Sequence, residues 1–404
     1  MKKMRNAWPV VAIVLVIGLM NISSSPQNNW NIALLQIAFL MGSILCLRPS
    51  LNETQKLNPI MLLIFLSIAS SNVFATLDSA GIADWPRAVN IVAHMGFALA
   101  VFHWFIRRPS VVHWVVTAQM LSVLIYFIVI LGYWNYLADP YSHQWFAHPP
   151  MFNHIRHVGT FLMVGTVIAS WGVLNYREVR RSLAWVIFVL ALSMLLWSGS
   201  RGAALAACGG ITLLALRFPL AHTARGWALL AVGSVMAFTL SAVFDVDQNG
   251  LGWLSAIRRS VAATSIDQLS SSRLTIWTYL LPFIAERPWF GWGGEAFQFA
   301  WPTRSIIQAH NGLFQLMLEW GAVGTLLILG LLGWIAIKGG LLYWKTASPQ
   351  STDSALPLGM ALVTALLILS LVDGVFYHGT PFAFLMLGFA MVGASLYRAA
   401  AGKN

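Results

Sequence analysis

Charge is what this sequence has least of. Of 404 residues, 9% are Asp, Glu, Lys or Arg and 58% are hydrophobic, where an ordinary soluble domain carries about 25% charged residues. A water-soluble fold is therefore excluded: no globular interior absorbs this much apolar sequence, but a bilayer does. Acidic residues are the scarcer sign, 13 against 24 Lys and Arg, for a net charge of +11. That excess does not point to nucleic acid, because the basic residues form no single stripe. They sit in short clusters between apolar runs, as topology signals do. Only two cysteines occur, Cys46 and Cys208, both inside apolar runs, which excludes a disulfide framework. The N-terminus resembles a signal peptide, but no small-x-small site follows the first apolar run, and a second long run comes directly after it. An uncleaved first span is expected.

What remains is apolar sequence in runs too long and unbroken for barrel strands, and lipid then leaves only helices. The expected fold is an all-α integral membrane protein. At roughly 20 residues per span, twelve spans are read, at 7–21, 30–47, 59–76, 88–106, 111–134, 158–175, 182–198, 201–217, 226–244, 311–337, 355–373 and 381–398. The chain divides into an amino-terminal bundle of nine helices (1–244), a large loop with short helices (245–310) and a carboxy-terminal set of three helices (311–404). One other connection, 135–157, is long. Sixteen Lys and Arg, including all six lysines, fall on one side. That side is taken as cytoplasmic, with both termini there and both long loops outside. The opposite face keeps eight arginines and no lysine: Arg87, Arg156, Arg201, Arg258, Arg259, Arg273, Arg287 and Arg304. Arginine presents a planar bidentate fork that suits phosphate, whereas lysine is a point charge.

Three segments can carry chemistry. Ser198-Gly199-Ser200-Arg201-Gly202 is a short turn between two spans, so the helix beginning at Arg201 points its N-terminus outward. Free N–H groups and the positive dipole end attract anions there. A cation in that first turn is disfavoured unless it shares an anion, so Ser200 and Arg201 are expected to bind substrate. Ser270-Ser271-Ser272-Arg273-Leu274-Thr275-Ile276-Trp277 opens an amphipathic segment of the large loop, with the serines as N-cap candidates. His310-Asn311-Gly312 precedes the tenth span; one of the first two caps it, and a helix N-terminus keeps imidazole neutral. Two permanent cations and one neutral base suit displacement of a diphosphate: the cations hold the leaving charge and the base takes a proton from the attacking hydroxyl.

Other features carry less. Asp245-Val246-Asp247-Gln248-Asn249-Gly250 imitates a calcium loop, but Ala256 stands where a bidentate Glu is needed, so it reads as a turn. His143, His148, His154 and His157 crowd the 135–157 loop without zinc-ligand spacing. The outer face offers no carboxylate pair for retaining glycoside chemistry, and the inner face no nucleotide-binding glycine loop. Glu319 inside the tenth span reads as a structural partner for an Arg or a backbone amide. Asp373, closing the eleventh, reads as an intramembrane acid that pairs or marks a pathway. No cofactor and no metal are expected.

At these residues the sequence resembles the O-antigen ligase and polymerase superfamily of bacterial membrane glycosyltransferases. The resemblance rests on the Ser198–Gly202 turn, on Ser272-Arg273-Leu274-Thr275-Ile276-Trp277, on Pro288-Trp289-Phe290-Gly291-Trp292-Gly293, and on His310-Asn311 through Glu319-Trp320-Gly321. It implies the lipid-phosphate-sugar transferase architecture (GT-C-like) in the bacterial inner membrane, with the active site facing the periplasm. It implies an undecaprenyl-diphosphate-linked O-antigen donor and metal-independent transfer with inversion. Arg201 and Arg273 would engage the diphosphate, His310 would activate the acceptor hydroxyl, and Ser200 and Asn311 would contact substrate. Within the superfamily the ligase, with lipid A core oligosaccharide as acceptor, is favoured. The alternatives are O-antigen polymerase, a protein O-oligosaccharyltransferase and, more distantly, an anion or lipid-linked substrate transporter.

Overall fold

The computed structural model describes residues 26–47, 58–77, 85–218, 220–246, 252, 254–301, 306–345 and 355–402. The regular elements among them are helices: α1 (Pro26–Leu47), α2 (Asn58–Leu77), α3 (Trp85–Arg107), α4 (Val111–Tyr136), α5 (Ile155–Asn175), α6 (Glu178–Trp197), α7 (Arg201–Arg217), α8 (Leu220–Val243), α9 (Ser255–Val261), α10 (Ile266–Ser270), α11 (Arg273–Glu286), α12 (Ala296–Ala300), α13 (Gly312–Lys345), α14 (Ala355–Ser370) and α15 (Gly379–Ala400). Nine of these, α1 to α6, α8, α13 and α15, are long and apolar enough to cross a bilayer. The chain is a multi-pass helical membrane protein. Helices α5 and α15 occupy its centre, buried along almost their whole length.

The expected count of twelve spans is therefore not reached among the described residues. The span expected at 7–21 lies outside them. The spans expected at 201–217 and 355–373 are helices of 17 and 16 residues. At about 1.5 Å per residue, each is about 25 Å long, short of a hydrocarbon core of about 30 Å. The eleventh ends at Ser370 because the chain there leaves the helix for a series of turns, carrying Asp373 with it. Helices α7 and α14 pack closely through small residues: a Cβ on Gly210 would lie 3.0 Å from the Ala361 carbonyl oxygen. Such contacts drive helix association where lipid removes the hydrophobic incentive. The end of α14 and the start of α7 meet, and Gly202 abuts Val372.

The large loop is built into the bundle by a break in α13. Gly321 has φ 60 and ψ −169, which no helix accommodates, so carbonyls before it and amides after it lose their helical partners. The Pro288–Gly293 segment supplies replacements on both sides. Trp292 N and Gly293 N donate to Leu318 O and Glu319 O at 2.9 Å, while Ala322 N and Val323 N donate to Pro288 O and Trp289 O at 2.7 and 3.1 Å. The contact is backbone on backbone: a Cβ on Gly291 would lie 2.7 Å from the Glu319 carbonyl. Two of the short motifs in the sequence are thus the two halves of one joint.

Beside that joint lies a buried ionic latch. Arg87 Nε is 3.2 Å from Glu319 Oε1, both side chains being fully buried, so Glu319 has the arginine partner the sequence led one to expect. Arg87 also donates to the carbonyls of Phe376 and Tyr377, at 2.6 and 3.3 Å. Glu295 from the large loop joins through its amide, which donates to Glu319 Oε1, and its carboxylate, which accepts from Tyr377 Oη at 2.6 Å. One cluster therefore ties α3, the broken α13, the large loop and the α14–α15 turn together.

Candidate active site

The Ser198–Gly202 turn fixes the first arginine. Gly199 has φ +62, the left-handed conformation that turns α6 into α7. The absence of a side chain at Gly159 lets α5 lie directly against Ser200, whose Oγ a Cβ there would overlap. Arg201 is the first residue of α7. Its two terminal nitrogens donate to Ser260 Oγ at 3.0 Å and Ser271 Oγ at 2.9 Å. Ser271 and Ser272 are both left-handed, with φ 57 and 61, and this double reversal swings the chain from α10 into α11 and presents Arg273 beside Arg201. The hydroxyl of Ser272 makes no capping bond; Asp267 Oδ1 accepts from Thr275 N at 3.1 Å instead. Arg273 donates to Ser270 O at 2.8 Å. From α9, Arg259 donates to Gly199 O at 2.6 Å.

His310 is held by its neighbours rather than by its own side chain. Its backbone is left-handed, with φ 50, a strain that costs about 1–2 kcal/mol for a non-glycine residue and gathers at functional sites. Both polar groups of the preceding Ala309 are taken by side chains: its amide donates to Gln315 Oε1 at 2.8 Å and its carbonyl accepts from Trp277 Nε1 at 3.0 Å. Asn311 caps α13, its Oδ1 accepting from Leu313 N and Phe314 N at 2.9 and 3.1 Å. Its amide nitrogen donates to Leu371 O at 3.0 Å, which ties the start of α13 to the turn bearing Asp373. Asn311 is thus engaged at both ends and does not line the cavity described below.

The imidazole lies between a carboxylate and a guanidinium. His310 Nδ1 is 3.5 Å from Asp373 Oδ1, and Nε2 is 3.2 Å from Arg156 Nη1. Burial pushes the His310 pKa below its ordinary value. Asp373 opposes that shift, and Arg156 and Arg273 reinforce it. Burial alone would raise the Asp373 carboxyl, but the adjacent His310 ring and the Gly374 amide, which donates to Oδ1 at 2.8 Å, outweigh it and hold the group below the usual carboxylate range. At neutral pH the pair is therefore a neutral imidazole facing an ionised carboxylate. That carboxylate favours the tautomer with its proton on Nδ1, which leaves the Nε2 lone pair facing Arg156.

Next to this pair is a small cavity of about 60 Å³ whose lining includes Arg156, Ser200, Arg201, Arg259, Arg273 and Asp373. Four guanidiniums against one carboxylate leave an excess of three positive charges. The partners of Arg201, Arg259 and Arg273 named above are neutral hydroxyls and carbonyls. Burial, and then the charge of neighbouring arginines, lowers the pKa of both Arg259 and Arg273. Arg273 Nε and Ser200 Oγ are buried with no hydrogen-bond partner. Crowded cations and idle donors in one recess are an arrangement able to take an anion. A larger cavity of about 530 Å³, lined by Met95, Phe102, Ile328, Phe389 and Tyr397 among others, runs between α2, α3, α13 and α15. It is apolar and holds no arginine, so chemistry and not volume identifies the site.

The structure thus gathers Ser200, Arg201 and Arg273 at one cavity, sets His310 beside it, and uses Asn311 as scaffold. Arg156, Arg259 and Asp373 belong to the same constellation. The two arginines carried a signal, as members of the lysine-free face; Asp373 carried one as an acid at a span end. The crowded histidines of the 135–157 loop serve mainly packing and capping. His143 lies edge-on to the buried Trp145, and His154 Nδ1 accepts from Arg156 N at 3.1 Å, with burial pushing the His154 pKa down to about 4. Of the calcium-like segment, Asp245 pairs with Arg258 at 3.1 Å, while Asp247 to Gly250 lie outside the described residues. Among the described residues, no group of three or more His, Cys, Asp and Glu is placed to hold a metal ion. Residues 186–329 match a family model described as O-antigen ligase, which is consistent with the O-antigen ligase superfamily and spans Arg201, Arg259, Arg273 and His310. No curated protein matches the chain.

Proposed function

We propose, from the O-antigen ligase similarity of residues 186–329, that this protein is an inverting, metal-independent glycosyltransferase of GT-C-like architecture. It transfers O-antigen from undecaprenyl diphosphate to the lipid A core oligosaccharide, on the periplasmic face of the bacterial inner membrane. The observation that carries this reading is the adjacency of a carboxylate-backed neutral imidazole and a four-arginine recess. The arginines neutralise the two phosphates and the charge that develops as the diphosphate leaves, a role otherwise given to a metal ion. The acceptor hydroxyl gives its proton to His310 Nε2, its oxygen bonds to the anomeric carbon, and the carbon–oxygen bond to phosphate breaks with its electron pair going to the diphosphate. Asp373 steadies the imidazolium that forms. His310 and Asp373 provide one base and its orienting partner, not a nucleophile pair, so a single displacement and inversion follow. The ligase is favoured over the polymerase by the compact, arginine-rich loop between α8 and α13.

The test is transfer by the purified chain from undecaprenyl-diphosphate-linked O-antigen, offered either lipid A core or a second lipid-linked unit. Transfer to the core with inverted anomeric configuration, unchanged in EDTA, is the expected result. Elongation of the lipid-linked unit in its place assigns the polymerase reaction. Activity that stops in EDTA and returns with magnesium or manganese sinks the metal-independent mechanism, and no transfer to either acceptor sinks the reading as a whole.

A further inference from the structure

One contact in the site works against the chemistry just described. A general base needs its lone pair free, yet His310 Nε2 is occupied by Arg156 Nη1 at 3.2 Å. With Nδ1 turned to Asp373, Nε2 is the nitrogen left to accept a proton. Arg156 is also a lining residue of the cationic recess, along with Arg201, Arg259 and Arg273. It stands on the first turn of α5, which is capped by His154, so its backbone is fixed while its long side chain can face either neighbour.

We infer that Arg156 masks the base in the empty site and that a diphosphate entering the recess draws it off. The inference rests on the transfer reading for the name "base", but its physics does not. A guanidinium bonded to a neutral imidazole gives up a neutral acceptor. One bonded to phosphate gains an ionised, bidentate acceptor, and such bonds are about twice as strong. Arg273 and Arg259 repel Arg156 while the recess is empty; an anion among them reverses that sign. Release of Arg156 then returns the Nε2 lone pair. Arg156 is in this view a positioning residue that makes donor binding the condition for activating an acceptor hydroxyl, so that neither water nor acceptor is deprotonated at an empty site.

The test reads the accessibility of Nε2 without any glycan transfer. Purified full-length protein is treated with diethylpyrocarbonate, and the modification rate of His310 is followed by peptide mass spectrometry, with and without inorganic pyrophosphate as the probe anion. A hydrogen bond to a charged group should slow modification of the masked ring about tenfold. Pyrophosphate should remove that protection in the wild type. Arg156→Gln should react at the fast rate throughout and show no pyrophosphate response. Equal rates with and without pyrophosphate in the wild type, or slower modification with it, overturn the mask, and this arm needs no variant. A protein that transfers glycan but shows no pyrophosphate effect loses the mask and keeps the function; one with the effect but no transfer does the reverse.

Discussion

Two groups of arginines in this molecule, one buried around Arg87 and one half-buried in the recess, are built on opposite plans. Around Arg87, the cation has its anions in place: the guanidinium meets Glu319 at 3.2 Å, Glu295 joins the same cluster, and backbone carbonyls of Phe376 and Tyr377 accept from its terminal nitrogens. In the recess, charge is deliberately unmatched, with Arg156, Arg201, Arg259 and Arg273 facing the single carboxylate of Asp373. A matched cluster is finished as it stands and holds elements together. An unmatched one is finished only by a ligand. Charge balance and burial thus point the same way, to a structural Arg87 and a recess able to take a ligand, and mutations should separate the two.

The largest effect should come from the one group that is neither latch nor cation. His310→Ala removes the proton acceptor, and loss of a general base costs about 10²–10⁴ in rate. Because the base acts only as the bond forms, donor affinity should stay near that of the wild type. Turnover and donor binding measured on the same preparation decide it. A variant that retains its fold but has lost the donor would make His310 part of the anion site instead.

Stability should separate the two arginine groups next. Arg87→Ala leaves Glu319 buried without its cation, which costs about 3–5 kcal/mol, and it also loosens the turn that carries Asp373. Arg201→Ala gives up its hydrogen bonds to Ser260 and Ser271 but relieves repulsion among like charges, so it should destabilise by about 1–2 kcal/mol at most, less than Arg87→Ala, while abolishing transfer. Thermal unfolding in detergent reads both. Equal destabilisation by the two substitutions would erase the distinction drawn here.

A smaller loss should follow a change that preserves charge. Arg201→Lys and Arg273→Lys keep the cation and lose the fork, and each should cost about 2 kcal/mol or more of transition-state stabilisation, by comparison with removal of one oxyanion donor. The kcat/KM of each variant at saturating acceptor measures this. Near-normal transfer by Arg201→Lys would mean that Arg201 supplies charge alone and no bidentate fork.

Local signals carried much of this arrangement in the sequence. Arg201 opens α7, Arg273 opens α11 and Asn311 caps α13, because a turn, a serine cluster and an Asn-Gly pair are short-range features. Nine of the membrane-spanning helices were equally plain in the apolar runs, although the count of twelve is not reached among the described residues. What the sequence left obscure depends on distance along the chain. Arg156 meets His310 across 154 positions and Arg87 meets Glu319 across 232, and no local pattern encodes either contact. The end of α14 was misjudged for a related reason. An apolar run marks what lipid or core accepts, and the turn after Ser370 is apolar too, with Val375 and Phe376 buried in protein.

The finest test concerns pH, and its force lies in opposite signs. His310 is acted on by burial, by Asp373 from the α14–α15 turn, by Arg156 from α5 and by Arg273 from α11, with a net downward shift. In the proposed mechanism the neutral form is the active base, so kcat/KM should rise with pH through the pKa of the free protein. The plateau should therefore be reached below the usual histidine range. Asp373 stabilises the imidazolium, so Asp373→Asn lowers that pKa further and moves the acid limb to lower pH. The plateau rate should fall as well, since the ring becomes a weaker base. Arg156 destabilises the imidazolium, so Arg156→Gln moves the limb to higher pH. A structural defect in either variant would lower the rate without moving its limb. Limbs that shift in the same direction, or that stay at the wild-type position in both variants, would mean that the group titrating in kcat/KM is not the imidazole held between Asp373 and Arg156.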